Sequence, residues 1–398
     1  MTLSVVMYKN LGVSNTEIAL YTSWLYLPWV IKPLWSPLVD LLGTKRRWIV
    51  ALQFVVGAAL AMVALTLPAS DALRLSLAIF WLMAFASATH DIAADGFYLL
   101  ALPQQRQAAF VGVRSTFYRL AMIAGQGGLV YLAGWLQQRT GRPAQAWALV
   151  FGLMAVFFVA VAVWHAWALP RPATDRPTRR DTAFWPGFIE VFAAFFRQPG
   201  IGRILAFLLL YRFAEAQLLK LVTPFLLDAT AVGGLGLKTQ EVGIAYGTVG
   251  VIALTVGGLL GGWVISLGGL KRLLWPLMIA MHLPNLIFVA LAVAQPQSLW
   301  LVSAAVAAEQ FGYGFGFTAY MVFMLMVAGV GQHQTAHYAI CTGFMALGMM
   351  LPGMGAGWLQ SQLGYLGFFG WVCVATLPSF VAAAFVQIDP AFGRKAEG

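Results

Sequence analysis

Asp91 and Asp95 stand four residues apart in FWLMAFASATHDIAADGFYLLA, residues 80–101, a stretch otherwise apolar enough to cross a bilayer. On a helix this spacing puts both carboxylates on one face, one turn apart. A charge at the centre of hydrocarbon costs at least about 2.5–3.5 kcal/mol. Ionisable groups in such segments therefore face an internal cavity and mark an ion or solute path. Other charges share that setting. Arg212 and Glu215, three apart, can pair along one helix face. Glu309 has no oppositely charged neighbour within one turn, which makes it a candidate proton carrier beside Asp91 and Glu215. Arginine offers a planar, permanently charged fork to a carboxylate or phosphate, so Arg119 and Arg212 are candidates for holding an anionic solute. Tyr211 and Tyr313 could stack on a sugar or ring, although aromatic side chains also simply pack in membrane cores.

Helix rise, about 1.5 Å per residue, sets depths. By that measure Lys32, Asp91, Asp95 and Arg114 fall in one layer near the cytoplasmic side. Two readings stay open. The layer is a static ion-pair brace, or Asp91 takes up a proton when its contact with Arg114 breaks while Asp95 serves the gate. Asp40, beside the basic run Lys45, Arg46 and Arg47, is expected to lock that gate through charge-assisted hydrogen bonds. His333 and His337 have a metal-compatible spacing but no third ligand nearby, so no metal is expected. No cofactor is expected either, and no phosphate-binding loop occurs to support ATP drive.

The elements that carry these groups must be membrane helices. The 398 residues are 61% hydrophobic and 10% charged, against about 45–50% and 25% in soluble domains. The net charge of +10 does not argue for nucleic acid, because the basic residues cluster in short loops between apolar runs. Cys341 and Cys373 both lie in apolar runs, which argues against a disulfide framework. Runs long enough to span lie near 17–41, 48–67, 74–99, 107–136, 144–169, 200–228, 240–267, 272–294, 298–328, 333–360 and 363–387. Met1–Tyr8 is apolar but short of a span, so the chain is expected to start inside its first helix. Pro28, Pro33 and Pro37 predict a bent helix in the first full span. The Lys and Arg surplus in alternate loops puts the 170–199 connection and the C-terminus in the cytoplasm. That connection divides the chain into halves 1–169 and 200–398, and its aromatic part, Phe184–Phe196, could lie along the membrane surface.

Each half repeats one segment. Ser36 to Arg46 reads small residue, Asp40 four later, Gly43, then Lys45-Arg46; Gly262 to Arg272 reads small residue, Ser266, Gly269, then Lys271-Arg272. Parallel internal repeats of this kind occur in secondary transporters. The segment resembles the signature of the major facilitator superfamily, without the usual Arg after Asp40. KPLWSPLVD (32–40) and ATHDIAADGFYLL (88–100) resemble the branch holding the AmpG-type muropeptide permeases and the acetyl-CoA transporters. AmpG-type permeases usually carry two more C-terminal helices than this chain.

The resemblance implies an all-α membrane protein. It would be a major-facilitator-type bundle of twelve transmembrane helices, the first truncated, in two pseudo-symmetric six-helix halves. It also implies that Asp91, Glu215 and Glu309 meet at a central cavity. The expected function is a proton-coupled permease of the bacterial inner membrane, acting as a monomer on a polar, anionic solute such as an anhydromuropeptide. A siderophore permease is the alternative. A membrane-embedded acyltransferase using His90 and Asp91 is the rival from another class; it needs an oriented nucleophile or base, and the repeat plays no part in it.

Overall fold

The computed structural model describes residues 2–101, 113, 116–176, 184–330, 334–390 and 392–393, excepting the side chains of Pro37, Asp40, Leu41, Leu99, Phe184 and Trp185. Arg114 and His333 therefore lie outside the described residues, as does the Asp40 side chain. Among the described residues every regular element is helical. In order they are α1 (Thr2–Asn10), α2 (Asn15–Trp24), α3 (Leu27–Leu42), α4 (Lys45–Thr66), α5 (Ala72–Ala101), α6 (Val130–Thr140) and α7 (Pro143–Ala168). After the linker come α8 (Phe184–Phe196), α9 (Ile201–Leu210), α10 (Phe213–Leu227), α11 (Thr239–Gly268), α12 (Leu270–His282), α13 (Asn285–Ala294), α14 (Leu299–Ala328), α15 (Gln334–Val374) and α16 (Leu377–Phe385). Seven of the described helical stretches are long and apolar enough to cross a membrane by themselves.

The shorter helices follow one another with gaps of a few residues, and the gaps have local causes. α2 and α3 part at Leu25–Tyr26, just before Pro28 in the first turn of α3. The expected bend thus sits ahead of the first proline, and α3 runs on through Pro33 and Pro37. Pro284 separates α12 from α13. α9 and α10 part at Tyr211–Arg212 without a proline, and Arg212 sits at φ −108°, ψ 19°. Hydrocarbon tolerates such a break only if the freed carbonyls find donors. Here the Tyr320 hydroxyl donates to the Leu208 carbonyl (2.6 Å) and Ser379 to that of Leu210 (2.8 Å). The break is stitched in place. α15 contains its own interruption at Gly364, whose φ of 66° favours glycine.

The chain forms two compact units. The smaller comprises Leu25–Ala121 and Leu132–Gly187. In it α4 packs closely against α7 at Gly57, where a Cβ would come within 2.9 Å of Val159. Trp35, Phe85 and Trp81 form an aromatic run beside them.

The larger unit comprises Met1–Trp24, Met122–Tyr131 and Phe188–Gly398. Its organising helix is α14. Lipid supplies little drive for helix association, so close contact depends on small residues at the seam. Gly314 faces the Leu254 carbonyl of α11, and Gly312 and Gly316 face carbonyls of α12; a Cβ at any of the three would fall 2.1–2.4 Å from those oxygens. The glycine run of this helix thus serves tight packing on two sides at once. Phe195 of α8 packs against Phe344 and His337 of α15.

Candidate functional site

Both units hold charge inside apolar helices, in different ways. In the larger unit the charges gather around the break between α9 and α10. Glu215 and Glu309 are both fully buried, and Arg212 is 7% exposed. Glu215, in the first turn of α10, lies within electrostatic reach of Arg212 and of Glu309 on α14. One oxygen of Glu309 accepts a hydrogen bond from Gln310 (2.9 Å). Its other oxygen and both oxygens of Glu215 have no hydrogen-bond partner among the described residues. Buried polar groups are nearly always hydrogen-bonded, so three bare carboxyl oxygens in one place need a reason.

Arg212 does not supply it. The expected pairing of Arg212 with Glu215 along one face is not what forms. Arg212 sits in the break rather than in the helix, so the three-residue spacing no longer aligns the two side chains. Its guanidinium instead donates to the Tyr313 hydroxyl and lies over the rings of Tyr313 (5.3 Å) and Phe317 (4.7 Å). Two aromatic faces hold a cation without neutralising it, and Nε is left without a partner. Tyr211 is buried beside this group but committed elsewhere. Its hydroxyl donates to the Gly316 carbonyl (2.8 Å), and its ring stacks on Tyr320. Of the two tyrosines, Tyr313 is therefore the one that touches the charged group.

The smaller unit holds its charge as a closed pair. Lys32 Nζ lies 2.6 Å from Asp91 Oδ2, with the Lys32 side chain 15% exposed and that of Asp91 41% exposed. Trp35 donates to Thr89 (3.3 Å), one helical turn further along α3 and about half a turn before Asp91 on α5. The expected pairing in this layer is present for Lys32 and Asp91. Asp95 and Arg119 also belong to this unit, so Arg119 is not brought together with Arg212 within one unit.

At the end of the smaller unit near the linker, the basic run is tied down. Asp175 accepts from the backbone amides of Lys45 (2.8 Å) and Arg46 (3.0 Å), placing a carboxylate on the N-terminus of α4. Arg46 reaches back to the last carbonyls of α7, donating to Leu169 (3.2 Å) and to Ala166. The Arg47 amide donates to the Thr44 side chain (3.3 Å).

Residue-type reasoning missed Lys220. It lies on α10, is 5% exposed, and donates to Thr22 of α2 (3.0 Å). The signal was present, since a lysine inside KLVTPFLL follows the same rule that singled out Glu309. Phe317 and Gln310 carry no such signal, because an apolar or amide neighbour of a charge is identified only by the fold. His337 contacts Gln198 and the Val191 carbonyl, and no cluster of three metal-ligating side chains occurs among the described residues.

A family model described as the BT1 family matches residues 1–388. The chain belongs to the BT1 family. Relatives of this BT1 member include the anhydromuropeptide permease of Escherichia coli strain K12, 27% identical over 89% of this chain and 69% of the permease. A candidate transporter of Rickettsia conorii designated AmpG 4 is 26% identical over 94% of this chain and 91% of its own. Among solved structures, the nucleoside transporter NupG superposes with a TM-score of 0.63 at 16% identity, covering 97% of this chain and 94% of that one. The fold is thus of the major facilitator type, and this BT1-family chain is a multi-pass membrane transporter. The expectation of a transporter rather than an enzyme is met, and the acyltransferase reading falls away because these relatives are named as permeases and transporters.

Proposed function

We propose that this BT1-family transporter is a proton-coupled permease for a bulky, polar, anionic solute, with an anhydromuropeptide as the leading candidate. The observation that carries the reading is the pair Glu215 and Glu309, fully buried, with three of their four oxygens bare, beside an arginine held by aromatic faces. Carboxyls with no fixed partner are free to trade a proton for a solute contact or for the Arg212 guanidinium. A guanidinium without a carboxylate bonded to it can receive an anion. The 27% identical anhydromuropeptide permease supplies the solute class and no more.

In this reading α1, α2 with α3, α4, α5, the 107–136 run, and α7 form the first six crossings. α9 with α10, α11, α12 with α13, α14, and α15 with α16 in two crossings form the second six. The halves 1–169 and 200–398 are joined by the cytoplasmic linker 170–199, and access alternates as they rock. The surplus of Lys and Arg in the linker and its neighbouring loops orients the chain with its C-terminus in the cytoplasm of the inner membrane. It works as a monomer. Asp91, Lys32, Asp95 and Arg114, with Asp40 and the Lys45–Arg47 run, serve the inward gate, and Arg119 is a second anion contact.

The test is uptake into proteoliposomes carrying purified protein, with a proton gradient imposed and a panel of anhydromuropeptides, siderophores and nucleosides outside. Gradient-dependent accumulation of anhydromuropeptide alone supports the reading. Accumulation of a siderophore reassigns the solute, and gradient-independent equilibration of any of them contradicts proton coupling.

A further inference from the structure

The larger unit contains a second polar cluster, at the end of α10 away from the linker. Lys9, on the last turn of α1, places Nζ 2.6 Å from Asp228 Oδ1 and 2.8 Å from Asn15 Oδ1. The Asn15 amide in turn reaches Asp228 Oδ2 (3.2 Å), Gln360 Oε1 (3.0 Å) and the Tyr365 hydroxyl (2.9 Å). Tyr365 donates to Asp228 Oδ2 (2.5 Å). Five side chains from α1, α2, the end of α10 and both sides of the Gly364 interruption in α15 thus close one network. Asp228 and Tyr365 lie 213 and 350 residues from Asn15 along the chain. Lys9 and Asp228 keep 16% and 18% of their side chains exposed and Asn15 is half-buried, so water reaches this side of the network, whereas Tyr365 is buried.

Beneath it the seam changes character. Gly357 of α15 lies against the first turn of α2, where a Cβ would fall 2.2 Å from the Asn15 carbonyl. One turn away on α15, Gly353 faces Ser23 (2.8 Å from a Cβ), whose hydroxyl is fully buried and has no partner among the described residues. Lys220 meets Thr22 at the same level. α1 and α2 are therefore held to α10 and α15 by one ion pair and a set of hydrogen bonds at the outer turn, and α2 by small residues and the Lys220–Thr22 bond below. Polar contacts that water already reaches can exchange partners with it, whereas glycine contacts need only a rigid shift to part. That combination suits a seal that opens repeatedly.

We propose that Lys9, Asn15, Asp228 and Tyr365 form a latch that holds this end of the solute path shut and must come apart for solute to pass there. The inference rests on the alternating-access reading above and assigns its gate at the end opposite the linker. It also gives a role to four residues that the transport site does not use.

The experiment needs no solute. Ser23→Cys is placed in a Cys341→Ser/Cys373→Ser background and its modification by a membrane-impermeant maleimide is timed in spheroplasts and in inverted vesicles. Ser14→Cys, exposed beside the latch, marks which preparation presents that end. Asp228→Asn and Lys9→Met should each speed labelling of Ser23→Cys tenfold or more from the latch side. The double variant should be no faster than Asp228→Asn alone, and Tyr365→Phe should give a rise of a few fold. Arg197→Gln, which breaks only an exposed pair with Glu190, should leave the rate unchanged. Only variants that elute as a single species from gel filtration are timed, and Tyr365→Phe, which removes one oxygen, carries the test if the charge variants misfold. Unchanged labelling in all latch variants overturns the latch while leaving the transport reading intact. Faster labelling in a protein that accumulates no solute supports the latch and counts against the solute assignment instead.

Discussion

Asp91 and Glu309 are the same kind of group in the same kind of helix, yet the two units treat them oppositely. Asp91 is held by Lys32 at 2.6 Å and remains 41% exposed. Glu309 is sealed, with one oxygen bare and bare Glu215 within electrostatic reach. The pair in the smaller unit is satisfied as it stands, and a satisfied ion pair braces or gates. The carboxyls of the larger unit are incomplete as they stand, and incompleteness is what reversible proton and solute binding requires. Acidity inside a membrane helix is thus no guide to role until its partner is known.

The contrast is most easily broken by activity. Glu309→Gln should lower gradient-driven uptake at least 100-fold, and Asp91→Asn no more than about tenfold, measured as initial rates in proteoliposomes. A larger loss from Asp91→Asn would invert the assignment. Next in size is the anion contact. Arg212→Lys keeps the charge but loses the planar fork that lies over Tyr313 and Phe317, so KM for an anionic solute should rise about tenfold with little change for a neutral one.

Stability sharpens the same comparison. Lys32→Met removes the partner of an Asp91 carboxylate that stays 41% exposed and should cost about 1 kcal/mol, with much of that recovered in Lys32→Met/Asp91→Asn. Glu215→Gln, by contrast, exchanges an unpartnered carboxyl for a neutral amide and should leave thermal stability unchanged or raised. Thermal unfolding in detergent distinguishes the two patterns, and equal destabilisation by both substitutions would remove the distinction between the units. The smallest effect is expected from Phe317→Leu. It deletes one of two cation–π faces, worth about 0.5–2 kcal/mol, and should raise KM for the anionic solute a few fold.

Much of this is legible in the residues alone. Apolar run length and the rarity of charge mark the membrane helices, and the motif at 88–100 marks the kind of fold. Lys32 and Asp91 stand out as members of one layer and are in contact; Arg212 and Tyr313 stand out only singly, and it is the fold that joins them. The break at Tyr211–Arg212 is not legible, because it has no proline and is held by Tyr320 and Ser379, more than 100 residues away. That one irregularity turns Arg212 from Glu215 toward the rings of α14. The Lys9–Asp228 cluster is hidden for a different reason. Each member sits near the end or interruption of a helix, where a polar residue is ordinary, and only tertiary contact makes five ordinary residues one network.

The most direct test of the central claim follows protons rather than solute. A pH-sensitive dye trapped in proteoliposomes should report acidification when anhydromuropeptide is added outside, with no gradient imposed. Glu215→Gln/Glu309→Gln should still exchange labelled for unlabelled solute while the dye stays silent. Acidification that persists in the double variant would contradict the assignment of proton coupling to the bare carboxyls of the larger unit.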